Sequence, residues 1–93
     1  MDNLFKQALK LQEKLRTELQ KIKVEGSAGG GMVRIEMDGE QNVISLKIEP
    51  QILEEKDINL LQDLIVAAFN DAQKKVKEKI QETIATLTGL PFV

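Results

Sequence analysis

Residues 58–88 read INLLQDLIVAAFNDAQKKVKEKIQETIATLT, and the character of this stretch changes partway along it. At 100° per residue, Ile58, Leu60, Leu61, Leu64, Ile65, Val66, Ala67, Ala68 and Phe69 leave one polar sector, occupied by Asn59, Asp63 and Asn70. Half a helix of this kind needs apolar surroundings on nearly every side. From Ala72 onward the apolar positions narrow to Ala72, Val76, Ile80, Ile84 and Leu87, flanked by Lys74, Lys75, Lys77 and Lys79. The second half therefore needs one partner helix and water. Engulfed along one half and bare along the other, the helix predicts a globular hub shared between subunits, with a helical arm reaching out of it. Asp57 is suited to cap its start, and Gly89 and Pro91 stop it.

Working back from that helix, three runs alternate apolar and polar side chains as strands with one buried face do. Ile22, Val24, Gly26 and Ala28 form the first apolar set, Val33, Ile35 and Met37 the second, and Ile44, Leu46 and Ile48 the third. Gly29–Gly31 and the Asp-Gly at 38–39 supply short turns, so the three strands form an antiparallel meander. Pro50 ends the third strand, and residues 51–56 are expected to make one helical turn. Residues 3–22 place Leu4, Ala8, Leu11, Leu15, Leu19 and Ile22 at spacings of three and four, an amphipathic helix with Asp2 or Asn3 as its N-cap. The expected fold is α+β in a single domain spanning 1–93: N-terminal helix, three-stranded antiparallel meander, long C-terminal helix.

Dimensions fix what the long helix can do. Its 31 residues span roughly 46 Å, whereas a seven-residue strand spans roughly 23 Å. About half the helix must overhang the sheet. The overhanging stripe and the stripe of the first helix are expected to pair as an antiparallel coil, with their lysines outside. The engulfed half is expected to meet its twin across a two-fold axis through Leu61, Leu64, Ile65, Ala68 and Phe69.

Composition excludes much. The chain of 93 residues has no His, Cys, Trp or Tyr, which removes the usual zinc ligands, thiol nucleophiles and imidazole bases. Two serines and four threonines without a histidine assemble no nucleophile and base pair, so no enzyme, cofactor or small-molecule substrate is expected. Lysines interrupt the N-terminal apolar pattern and no apolar run approaches the ~18 residues of a membrane span, so a soluble cytoplasmic protein without membrane contact is expected. Gly26–Gly31 joins two strands without a following helix or Gly-Lys-Ser/Thr, so it is a hairpin and not a phosphate loop. Asp38 with Glu40, and Glu54, Glu55 and Asp57, lack calcium-loop spacing and are assigned to turns and caps. Asn70 and Asp71, at the rim of the apolar half-helix, are assigned hydrogen bonds to the sheet or across the dimer.

The net charge of −2 hides an uneven distribution. Residues 1–23 carry six basic and three acidic side chains, residues 24–70 three and nine, and residues 71–93 four and three. Basic helical ends thus flank an acidic middle. On the first helix Lys6, Lys10, Lys14, Thr17 and Lys21 fall within a sector of about 80° opposite the apolar stripe, a basic ridge.

Three segments together resemble the YbaB/EbfC family of bacterial nucleoid-associated proteins. They are DLIVAAFNDA at 63–72, GSAGGGMV at 26–33 and IEP at 48–50, and the likeness extends over essentially the whole chain. The resemblance implies a two-fold homodimer with projecting helical arms, a duplex DNA partner, and a place in the cytoplasm on the nucleoid. The candidate phosphate contacts are Lys6, Lys10, Lys14, Arg16 and Lys21 on one arm helix and Lys74, Lys75, Lys77 and Lys79 on the other. No aromatic side chain accompanies the lysines, which favours duplex over single-stranded nucleic acid. Arg16 is the sole arginine of the arms, so little base readout is expected. An adaptor or holdase that clasps a polypeptide between the arms is the alternative. Salt separates the two, because phosphate contacts weaken steeply with it and apolar contacts do not.

Overall fold

The structure, a computed structural model, describes residues 2–89. Its elements are α1 (Asp2–Gln20), β1 (Lys23–Ala28), β2 (Val33–Asp38), β3 (Val43–Ile48), α2 (Pro50–Glu54) and α3 (Ile58–Thr88). The strands form an antiparallel sheet in the order β1-β2-β3. Val33, Ile35 and Met37 of β2 are buried on one face, and α3 lies on that face with Ala68, Ala72 and Val76 buried against it. Small residues let the layers meet closely. A Cβ on Gly26 of β1 would collide with the backbone of α3 at Ala68 and Ala72, so the strand carries no side chain where the helix crosses it.

The turns use the chemistry expected of them. Gly29, Gly30 and Gly31 have φ of 63°, 68° and 90°, a left-handed path that glycine follows without strain. In the β2–β3 turn, Asp38 Oδ1 accepts from the backbone N–H groups of Glu40 and Asn42, each at 2.9 Å. These bonds, the one from Asn42 above all, hold the Asp38 carboxyl below its ordinary pKa. Asp57 caps α3 by accepting from the Leu60 N–H at 3.0 Å, and Gly89, at φ 70°, ends it. Pro91 and the tail residues Leu90, Phe92 and Val93 lie outside the described residues.

Four expectations change. The short helix α2 begins at Pro50, which suits the first helical position, and α1 already contains Asp2 and Asn3. Ile22 leaves α1 and, 5% exposed, becomes part of the core. The coil between α1 and α3 is confined to the root of α1, where Glu18, Lys21 and Ile22 meet Lys79, Glu82, Thr83, Thr86 and Leu87. α3 ends at Thr88 and offers nothing to the rest of α1, so residues 2–14 are all exposed. The arm therefore projects, and the molecule measures 65 × 24 × 15 Å.

β3 is the anomaly of the sheet. Ile48 pairs with Val33, Leu46 with Ile35 and Val43 with Met37, with Ile44 extra at a bulge, so β3 turns its apolar side to the same face as the buried residues of β2. Yet α3 packs on β1 and β2. A helix is about 10 Å wide and cannot cover three strands spaced about 4.8 Å apart. Val43, Ile44 and Leu46 are left 47%, 46% and 45% exposed.

Candidate nucleic-acid interface

The basic ridge survives on the projecting helix. Lys6, Lys10 and Lys14 are exposed and have no ion-pair partner among the described residues. Their spacing of four keeps them on one face, and α1 stands clear of the fold along that length. Lys21 lies at the root and pairs with Glu18 at 3.3 Å. Arg16 sits elsewhere, in a groove lined by Gln12, Leu15, Leu19, Gln20, Gly39 and Glu40, roughly 80° around the helix from Lys6.

The four lysines of α3 divide into two pairs. Lys74 and Lys77 are exposed with no ion-pair partner among the described residues. Lys79 reaches Glu82 at 3.6 Å and lines the cleft between the helices together with Lys21 and Lys23. Lys75 is engaged at the edge of the sheet: its Nζ is 3.1 Å from Asp71 Oδ2 and donates to the Glu25 carbonyl at 3.0 Å. Asp71 in turn accepts from the Ser27 N–H at 2.9 Å, the bond to the sheet that its position predicts. The Ser27 N–H and then Lys75 hold the Asp71 carboxyl below its ordinary pKa. Phe5 is the one aromatic side chain exposed on α1, at 68%, and points away from the ridge, about 100° around the helix from Lys6.

The hub residues also separate. Ala68 is fully buried beneath its own chain, unavailable to a partner, because it faces β1 at Gly26. Leu61, Leu64, Ile65 and Phe69 are half-buried against the same core. What remains bare is a different set: Ile58 at 68% and Val66 at 58% on α3, Leu53 at 57% on α2, and the β3 residues. Leu53 and Ile58 line one hollow with Ile52 and Leu61. Sequence reading missed the β3 residues as a surface, although the width of one helix against three strands was signal enough.

Among the described residues, no group of three or more His, Cys, Asp or Glu side chains could hold a metal ion, and no helix is long and apolar enough to cross a membrane.

The chain is 46% identical over 92 residues to a nucleoid-associated protein of Dictyoglomus turgidum, covering 95% of this chain and 88% of the relative. It is 42% identical over 92 residues to one of Legionella pneumophila, covering 96% and 81%. The fold matches the crystal structure of an uncharacterized protein from Helicobacter pylori with a TM-score of 0.75, covering 94% of this chain and 91% of that one at 24% identity. A profile of the YbaB/EbfC DNA-binding family, which is not a family of enzymes, matches residues 1–90. With that match across nearly its whole length, and with the helix, three-strand, helix order and projecting arm already described, this chain belongs to the bacterial YbaB/EbfC DNA-binding family.

Proposed function

We propose that this protein is a nucleoid-associated homodimer that binds duplex DNA through its helical arms, with modest sequence preference, in the bacterial cytoplasm. One observation carries the reading: Lys6, Lys10 and Lys14 form a solvated row on a helix that leaves the fold, unneutralised by any acidic side chain among the described residues. Lys74 and Lys77 add to it from α3. Lysines at helical spacing neutralise phosphates as point charges and read no bases. Two copies of the arm would grip at two places along a duplex, so DNA shape and spacing contribute what preference there is.

The homodimer is supported by the bare apolar face. Leu46, Ile44 and Val43 on β3, with Ile58 and Val66 on α3, leave on the order of 500 Å² of apolar surface, which is large for a free monomer and suits one side of a stable interface. Leu61 adjoins it, lining one hollow with Ile58.

The experiment is an anisotropy titration of a labelled duplex at two salt concentrations. Binding that falls steeply with salt is expected, and binding indifferent to salt would overturn the reading. The polypeptide-clasping alternative keeps one observation of its own, the exposed Leu4, Phe5, Leu9 and Leu11 of α1. It predicts salt-insensitive binding of an unfolded protein and none of duplex DNA.

A further inference from the structure

Asp71 and Lys75 fasten α3 to the edge of the sheet at one point. β1 is an edge strand, whose outward N–H and C=O groups are ordinarily left to water or to another strand. Here the Ser27 N–H donates to Asp71 Oδ2 at 2.9 Å, the Glu25 carbonyl accepts from Lys75 Nζ at 3.0 Å, and Asp71 and Lys75 pair at 3.1 Å. One turn of helix and three residues of strand thus close a ring of charge-assisted contacts. Gly26, the middle residue of those three, lies beneath the backbone of Ala72. The ring also marks a boundary, because Val76 is the last fully buried residue of α3 and Lys77, Glu78 and Lys79 are exposed.

We propose that Asp71 and Lys75 are positioning residues, a clamp that sets the bearing of the α3 arm relative to the sheet, and that Lys75 serves this clamp instead of a DNA phosphate. For its consequence on DNA the proposal rests on the binding function above. A partly exposed ion pair adds little to global stability. Its leverage is geometric. Lys77 and Lys79 lie within about 5 Å of Val76 along the helix and scarcely move. The root of α1, however, is seated on residues 79–87 of α3, so about 10° of slack carries α1 with it and shifts Lys6, about 22 Å beyond Lys21, by about 4 Å, enough to misplace a lysine relative to a phosphate.

The test exploits a difference in sign. Asp71→Ala deletes a negative charge beside a basic arm, so electrostatics alone would tighten duplex binding. A lost clamp loosens it. We expect binding to fall about threefold, by loss of preorganisation, with the salt slope unchanged. The arm itself is read without DNA. The chain has no cysteine, so spin labels at Gln81→Cys on the arm and Lys47→Cys on the sheet, diluted with unlabelled protein, report one intramolecular distance. Its distribution broadens in Asp71→Ala, and the Ser27 amide exchanges about tenfold faster, while far-UV dichroism stays that of the wild type. Asp71→Asn keeps an acceptor for the Ser27 N–H and gives the intermediate result if the alanine variant folds poorly. Lys75→Met weakens binding without making the salt slope shallower, and Lys75→Arg restores it. An unchanged label distance, or tighter binding by a folded Asp71→Ala protein, overturns the clamp. A wild type that binds no duplex sinks the DNA-binding function instead, and the label distances then decide the clamp alone.

Discussion

The two flanks of the sheet are finished in opposite ways. Along β1, Gly26 admits the backbone of α3, and Asp71 and Lys75 occupy two outward backbone groups of the strand edge, the Ser27 N–H and the Glu25 carbonyl. Along β3, a strand of larger apolar side chains has no helix over it, and Leu46, Ile44 and Val43 are left half exposed. Both flanks belong to one sheet with one apolar side, and the contrast follows from the small residues of β1, which admit the helix, against the larger ones of β3, which it does not cover. A fold this small completes one flank by itself and leaves the other bare.

Gly26→Val attacks the closed flank and has the largest expected effect. The new side chain has no room against α3, and the loss is about 3 kcal/mol of folding stability or more, read as a lower denaturant midpoint. A midpoint close to wild type would mean that helix and strand are not in close contact. Leu46→Glu attacks the open flank. It should leave a folded chain, because Leu46 is already half exposed, while weakening self-association about 100-fold by burying a charge. Light scattering at micromolar concentration checks it, and a variant that dimerises like wild type would move the interface elsewhere.

Charge position sharpens the same contrast. Lys10→Glu with Lys14→Glu should weaken duplex binding about 30-fold for all sequences and flatten the dependence on salt, since each phosphate contact contributes about −0.9 to the slope. Lys47→Glu is the matched control, because Lys47 lies on the polar side of the sheet among Glu25, Arg34, Glu36 and Ser45. The control carries half the charge change, so a loss in log affinity half as large as that of the double variant would mean that net charge matters and the arm does not. The smallest effect is in acid. The Asp71 carboxyl has its pKa lowered by the Ser27 N–H and then by Lys75, so its contribution to stability is full above the ordinary carboxylate range and is lost as pH falls through the lowered folded value. Asp71→Asn should therefore flatten the acid limb of the stability curve slightly, and an unchanged limb would show that the bond is not kept in solution.

Much of the fold was legible because it rests on local pattern. The limits of α3 at residues 58 and 88, the cap at Asp57, the stop at Gly89 and the three strands all follow from period and turn chemistry. The candidate site was legible as a row on α1 and only in part on α3. Lys74 and Lys75 are neighbours in sequence, but which one reaches the β1 edge depends on where Gly26 seats the helix. Ala68 was read as an interface residue because a wheel counts apolar neighbours without saying which side meets the sheet. The bare face of β3 escaped for a related reason: alternation gives the side of a strand, not what lies over it.

The missing side chain at Gly26 acts as a gauge as well as a gap. A methyl group there would lift α3 from the strand by on the order of 1 Å, and the Ser27 to Asp71 contact, now 2.9 Å, would open to nearly 4 Å, beyond hydrogen-bond range. Layer spacing and arm direction are thus one adjustable quantity. A single added carbon in the middle of a strand would be felt at the far end of a helix, as a small error at the pivot is felt at the tip of a compass needle.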